Sequence, residues 1–205
     1  MEPLIRHILP SDFVVSNWSG GTTSQIAIGP QNAQYAKRDF LWRLSTATVN
    51  VEESDFTMLP DYARYISLLK GKIYLSHDGG KVLSLSPYEI HAFDGGSTTH
   101  SEGTCVDFNL MLRKGACKGN LFCLHLAENA EITIPAAPFT NGHHHTTIVY
   151  AAKGTGTLSV GTASQVFSCK EAVMISEFSA PLLLKSHEFS IFIIAEIDTS
   201  LSAPI

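Results

Sequence analysis

The sequence is short of charge. Lys, Arg, Asp and Glu make up 16% of its 205 residues, and the formal net charge is −5. Basic residues never stand more than two together. Nucleic acid and anionic membrane surfaces both need a positive footprint, so neither is an expected partner. Long apolar runs are also missing. "SIFIIAEI" and "PLLLK" are far too short to cross a bilayer. The first residues, "MEPLIRHILPSDF", lack a charged start, an extended apolar core and a small-residue cleavage site, which leads us to expect a cytoplasmic protein. Cys105, Cys117, Cys123 and Cys169 have no C-x-x-C spacing, which argues against a zinc knuckle or redox pair and for reduced thiols.

Helical periodicity is weak, and only Ala116 to Ala127 suggests a short helical turn. Strand signals dominate. "FLWRLSTATV", "CVDFNLML" and "FSIFIIAEI" are rich in β-branched and aromatic residues. "KIYLSHDGGKVLSLS" reads as a hairpin around Asp78-Gly79-Gly80. The Gly-Gly-Thr-Thr stretch at 20–23 is followed by strand-like alternation and has no lysine in the P-loop position, so it reads as a turn, not a phosphate cradle. Many short strands with glycine-rich turns predict an all-β sandwich or barrel.

Two segments echo each other. "YISLLKGKIYLS" and "TIVYAAKGTGTLSV" share a β-rich run, Lys-Gly and a later Leu-Ser. "SPYEIHAF" and "SCKEAVMI" follow at nearly the same distance. A near-constant offset points to duplication: a barrel over 1–118, a second over 119–205, and a junction near Gly115 to Asn120. Two strand-rich barrels of this size resemble a bicupin.

A cupin half usually carries G-x5-H-x-H-x3/4-E-x6-G and a later motif with another histidine, which together hold a metal. Taking Gly156 as the closing glycine places His143 and His145 correctly, but the glutamate slot is Val149, and "SCKEAVMISEF" holds no histidine. Two imidazoles are a poor site for zinc or iron, so the histidines read as a polar approach to a strand. Nothing in the spacing of His187 makes it a third ligand. Taking Gly71 as the closing glycine puts Arg64 in the glutamate slot. Guanidinium repels a cation and suits a carboxylate. Arg64 is therefore either an anion site or a surface residue on an edge strand. The expected metal and cofactor content is none.

Three motifs resemble those of the HutD/Ves family, bicupin proteins associated with bacterial histidine utilisation. "DFLWRLSTATV" resembles D-F-x-W-R-x-S-x-A-x-V at Asp39, Phe40, Trp42, Arg43, Ser45, Ala47 and Val49. "SDFTMLPDYARYISLLKG" resembles F-S-x-F-P-G-x-x-R followed by L-L-x-G, with Thr57 for Ser and Leu59 for Phe, and with Asp61 replacing the glycine before Arg64. "DFNLMLRKG" matches D-F-N-x-M-x-R at Asp107, Phe108, Asn109, Met111 and Arg113. "NWSGGTTSQIAIGP" is a looser match to W-x-N-G-G-G-x-T-R-E-I; Trp18, Gly20, Gly21 and Ile26 can be placed, and Ser24-Gln25 stands where the family has Arg-Glu. The resemblance spans about residues 15–115. It implies a small-molecule-binding or regulatory role.

Side chains alternate across a strand. Arg43, Ser45, Ala47 and Val49 therefore share one face, as do Asp107, Asn109 and Met111. With these faces inward, Arg64 and Arg43 can bind a carboxylate, Asn109 and Ser45 can hydrogen-bond it, and Trp18 can stack over the mouth. Asp107 would orient an arginine or accept an N–H from the ligand; Arg43 and Asp107 equally suit a structural ion pair. No nucleophile–base pair is visible, although His91 or His100 could serve as a base. The leading reading is a binding protein for a small carboxylate, regulatory or accessory in histidine/urocanate breakdown, with a homodimer left open. The runner-up is a metal-independent isomerase or epimerase of the cupin type.

Overall fold

A computed structural model describes residues 4–136 and 142–200. Among them there is no α-helix; the elements are strands and two 3-10 turns. No helix is long and apolar enough to cross a membrane. The first strands are β1 (Leu4–Ile8), β2 (Val14–Trp18) and β3 (Gly21–Gly29). Eight more follow: β4 (Trp42–Val49), β5 (Glu53–Asp55), β6 (Tyr62–Gly71), β7 (Ile73–His77), β8 (Leu83–Leu85), β9 (His91–Asp94), β10 (Thr99–Glu102) and β11 (Cys105–Arg113). The last eight are β12 (Cys117–Leu126), β13 (Glu131–Ile134), β14 (His143–Lys153), β15 (Thr155–Val160), β16 (Ala163–Ser168), β17 (Ala172–Ser176), β18 (Leu182–Ser186) and β19 (Ser190–Ser200).

The two sets of eight pair in the same order. One sheet contains β4-β11-β6-β9 and its counterpart β12-β19-β14-β17. The other is β5-β10-β7-β8, matched by β13-β18-β15-β16. β2 and β3 extend the first set beyond β4, and β1 extends the second beyond β17. Each set forms two separate antiparallel ladders, not the single closed barrel that the sequence suggested. Asp78 and Gly79 both adopt positive φ, and the Gly80 N–H reaches the His77 carbonyl, closing the expected β7–β8 hairpin.

The chain divides into Phe13–Cys117 and a second unit running from Lys118 that also takes in the N-terminal stretch up to Asp12. Two expectations change here. The first barrel was expected over 1–118, but β1 pairs with β17, Leu4 opposite Ser176 through Ile8 opposite Ala172. Such long-range pairing leaves no mark in the sequence pattern. The second concerns Ala116 to Ala127, which holds strand β12 and no helical turn. β12 is an edge strand, and its burial does not alternate regularly.

The second unit is filled by apolar side chains. Val149, Leu158, Phe167, Phe192 and Ile194 are all fully buried. In the first unit, one apolar cluster gathers Ile66, Leu68, Ile73 and Leu75, and a second gathers Phe40, Leu59, Tyr62 and Met111. The inner face between β4, β6 and β11 is polar, and a cavity opens there. The four cysteines form no disulfide.

Candidate functional site

Alternation brings the site together. β4 carries Arg43, Ser45, Ala47 and Val49 on one face. β11 runs antiparallel beside it, with Met111 opposite Arg43, Asn109 opposite Ser45 and Asp107 opposite Ala47. β6 flanks β11 on its other side and sets Arg64 opposite Met111. These residues, with Trp18 and Ser16 from β2 and Thr23 from β3, line a cavity of about 250 Å³. All six residues singled out in the sequence therefore meet at one place. Arg43, Ser45, Arg64, Asp107 and Asn109 are each at most 6% exposed, whereas Trp18 is 41% exposed.

Arg64 is therefore not a surface residue. Its guanidinium lies 5.0 Å from the ring centres of both Phe56 and Phe93. Nη1 donates to the Thr57 carbonyl at 3.2 Å, and Nη2 reaches Asn109 Oδ1 at 3.4 Å. Nε is buried and has no hydrogen-bond partner among the described residues. Arg43 donates through Nε to Gln25 Oε1 at 2.9 Å and through Nη1 to Ser45 Oγ at 3.2 Å. Its guanidinium stacks on Tyr35, 4.3 Å from the ring centre; Arg38 stacks on the same ring at 4.1 Å. Among the described residues no carboxylate oxygen lies within 4.0 Å of the Arg43 or Arg64 guanidinium.

The expected alternative of an Arg43–Asp107 ion pair is thus not formed. Asp107 Oδ1 instead accepts the Ala47 backbone N–H at 3.0 Å, beside the register shift between Val106 and Asp107. Burial pushes its carboxyl up to about 6, against hydrogen bonds from Asn109 and Ala47 and the fields of Arg64 and Arg43. Burial likewise pushes Arg64 down to about 10, so it stays charged at neutral pH. Desolvation also lowers Arg43, offset mainly by Tyr35.

Neither histidine considered as a base lines the cavity. His91 Nε2 lies 2.8 Å from His77 Nε2, and both rings stack with Phe93, which in turn contacts the Arg64 guanidinium. His100 Nδ1, on β10, pairs with Asp55 Oδ1 at 2.9 Å in an exposed contact. In the second unit His143 pairs with Asp198, His144 lies 4.0 Å from Glu177, and His145 Nδ1 is buried with no hydrogen-bond partner among the described residues. Among the described residues no three of His, Cys, Asp or Glu gather as metal ligands. Two guanidiniums at the cavity wall suit an anion and repel a cation.

Sequence reasoning passed over Tyr35, Phe56, Thr57 and Gln25. Tyr35 belongs to a 3-10 turn of a loop and follows no strand period. Gln25 was visible only as a departure from the family pattern; standing where that pattern has glutamate, it accepts the Arg43 Nε–H through a neutral amide oxygen and leaves the charge of Arg43 unpaired.

The HutD family model matches residues 10–190. The chain belongs to the HutD family. Among solved structures, this HutD-family chain is similar to PA5104 of Pseudomonas aeruginosa PAO1, a conserved protein of unknown function. That pair shares 22% identity over 95% of this chain and 98% of the other, with a TM-score of 0.78. HutD of Pseudomonas fluorescens SBW25, solved in a formate condition, is 21% identical over 94% and 98% of the two chains, with a TM-score of 0.71. The Escherichia coli pirin YhhW in complex with nickel(II) is 9% identical over 94% and 98%, with a TM-score of 0.70. At these identities the likenesses show the fold: all-β and cupin-like.

Proposed function

We propose that this HutD-family protein is a bicupin whose first unit, Phe13–Cys117, binds a small carboxylate, and that it serves a regulatory or accessory role in histidine/urocanate breakdown in the cytoplasm. One observation carries the reading. Two guanidiniums, Arg43 and Arg64, line a single cavity; among the described residues neither has a carboxylate within ion-pairing distance, and Arg64 Nε has no hydrogen-bond partner. A buried charge is ordinarily paired. An anionic ligand supplies the missing partner, and the fork of Arg64 suits the two oxygens of a carboxylate. Ser45 and Asn109 stand beside the guanidiniums as further hydrogen-bonding groups. Trp18, exposed at the cavity wall, offers a face for a planar ligand. Candidate ligands are urocanate and an N-formylated amino acid; formate, named in the condition of the P. fluorescens structure, is the smallest probe.

Calorimetric titration tests this. Affinity should fall between micromolar and millimolar, since few contacts offset the ligand's lost freedom. A hydrogen bond to a charged group contributes about 1.5–3 kcal/mol, so Arg64→Ala should weaken binding roughly 10- to 150-fold. Arg64→Lys should recover only part of it, because the fork becomes a point charge. Binding that is undisturbed by both substitutions would refute the proposal.

A further inference from the structure

The cavity wall is graded in charge along the strands. Its first rung is Arg43, Met111 and Arg64; the second is Ser45 and Asn109; the third is Ala47 and Asp107. Successive rungs lie about 6.8 Å apart, two residues along a strand. Both guanidiniums lean onto the middle rung, Arg43 to Ser45 Oγ and Arg64 to Asn109 Oδ1. Asp107 lines the same cavity one rung further on. It accepts the Ala47 N–H on Oδ1 and a hydrogen bond from the Asn109 side chain, yet a carboxylate offers about four acceptor sites, which leaves room for a further donor. The positive and negative groups do not neutralise each other in an ion pair, so the cavity has a cationic end and an anionic end.

Resting on the carboxylate reading of Arg64, we infer that the cavity selects carboxylates that also bear an N–H or O–H donor about one rung away, and that Asp107 is the specificity-determining acceptor of that donor. A ligand with an apolar far end would strip water from Asp107 and give nothing back. Sites built around a polar group reject analogues that lack its partner far more strongly than apolar pockets reject a missing methylene. The same carboxylate also holds the Ala47 N–H, so the test must separate a purely structural role from recognition. Asparagine does this: its Oδ1 still accepts from Ala47, while its other end becomes a donor.

Urocanate and trans-cinnamate present the same acrylate on rings with and without an N–H. Calorimetry of both against wild type, Asp107→Asn and Arg64→Ala decides the matter. Wild type should bind cinnamate at least tenfold more weakly than urocanate. Asp107→Asn should lose that preference by weakening urocanate and leaving cinnamate unchanged, and Arg64→Ala should weaken both. Equal wild-type binding of the two, with Arg64→Ala still weakening both, overturns the role of Asp107 and leaves the carboxylate reading standing. Loss of both ligands by the same factor in Asp107→Asn, whose melting profile reports its fold, also overturns it. Failure of both ligands to bind wild type overturns the carboxylate reading and this inference with it.

Discussion

The two units share a strand order and differ in what they put inside. Pairing fixes the correspondence. Leu68 lies opposite Asp107 in the first unit, as Ala151 lies opposite Phe192 in the second. Arg64 lies opposite Met111, as Thr147 lies opposite Glu196. The position of the buried acid Asp107 is thus taken by the fully buried ring of Phe192, and that of Arg64 by Thr147. Phe192 also presses on the second unit's β15: a Cβ at Gly156 would stand 2.7 Å from Phe192 Cζ, so only glycine fits beneath the ring. One unit uses its interior to hold itself together. The other leaves charge and space there, at a cost in stability that function has to justify.

Substitutions can break or sharpen this contrast. The largest effect should come from Phe192→Ala, which empties the plug of the second unit and should cost about 3–5 kcal/mol in denaturant unfolding. In the first unit the direction should reverse. Asp107 is raised in the folded state above its value in the unfolded chain. Protonation therefore favours the fold: the contribution is complete below about pH 4 and is lost as pH rises through about 6. The groups around it are Arg43 on β4, Arg64 on β6, Tyr35, and Cys105 and Asn109 on β11. Asp107→Asn should accordingly be more stable than wild type by about 3 kcal/mol at pH 8, with the gap closing towards pH 4; melts across pH check both the size and the slope. Arg64→Met should be stabilising by about 1 kcal/mol, since it removes an unpaired buried charge and keeps contact with Phe56 and Phe93. The smallest effect belongs to Trp18→Ala. Loss of one stacking face should weaken a planar carboxylate roughly two- to tenfold and leave formate, which has no ring, unaffected.

The contrast was partly legible in the sequence. Period-two alternation put Arg43, Ser45, Asp107 and Asn109 on shared faces, and the β-branched and aromatic residues of "FSIFIIAEI" marked a strand. Val149 in the glutamate slot was legible as an apolar position, and it is fully buried. Legibility ended where period two ended. Tyr35 reaches the arginines from a loop. Phe56 follows the three-residue strand β5, too short to show a period. Whether Asp107 pairs with an arginine or with a backbone N–H depends on a register shift, which alternation alone does not predict. β1 joined the second unit because its partner strand lies far along the chain.

The central claim is that Arg64 waits for an anion in the first unit while its counterpart position in the second does not. Arginine side-chain N–H nuclear magnetic resonance reads this directly, with Arg43→Lys and Arg64→Lys assigning the signals. Addition of urocanate should move the Nε–H resonances of Arg43 and Arg64 and leave those of Arg6 in the second unit and Arg113 in place. If the Arg64 signal stays fixed while the ligand binds, or if the signals of the second unit move instead, the account is contradicted.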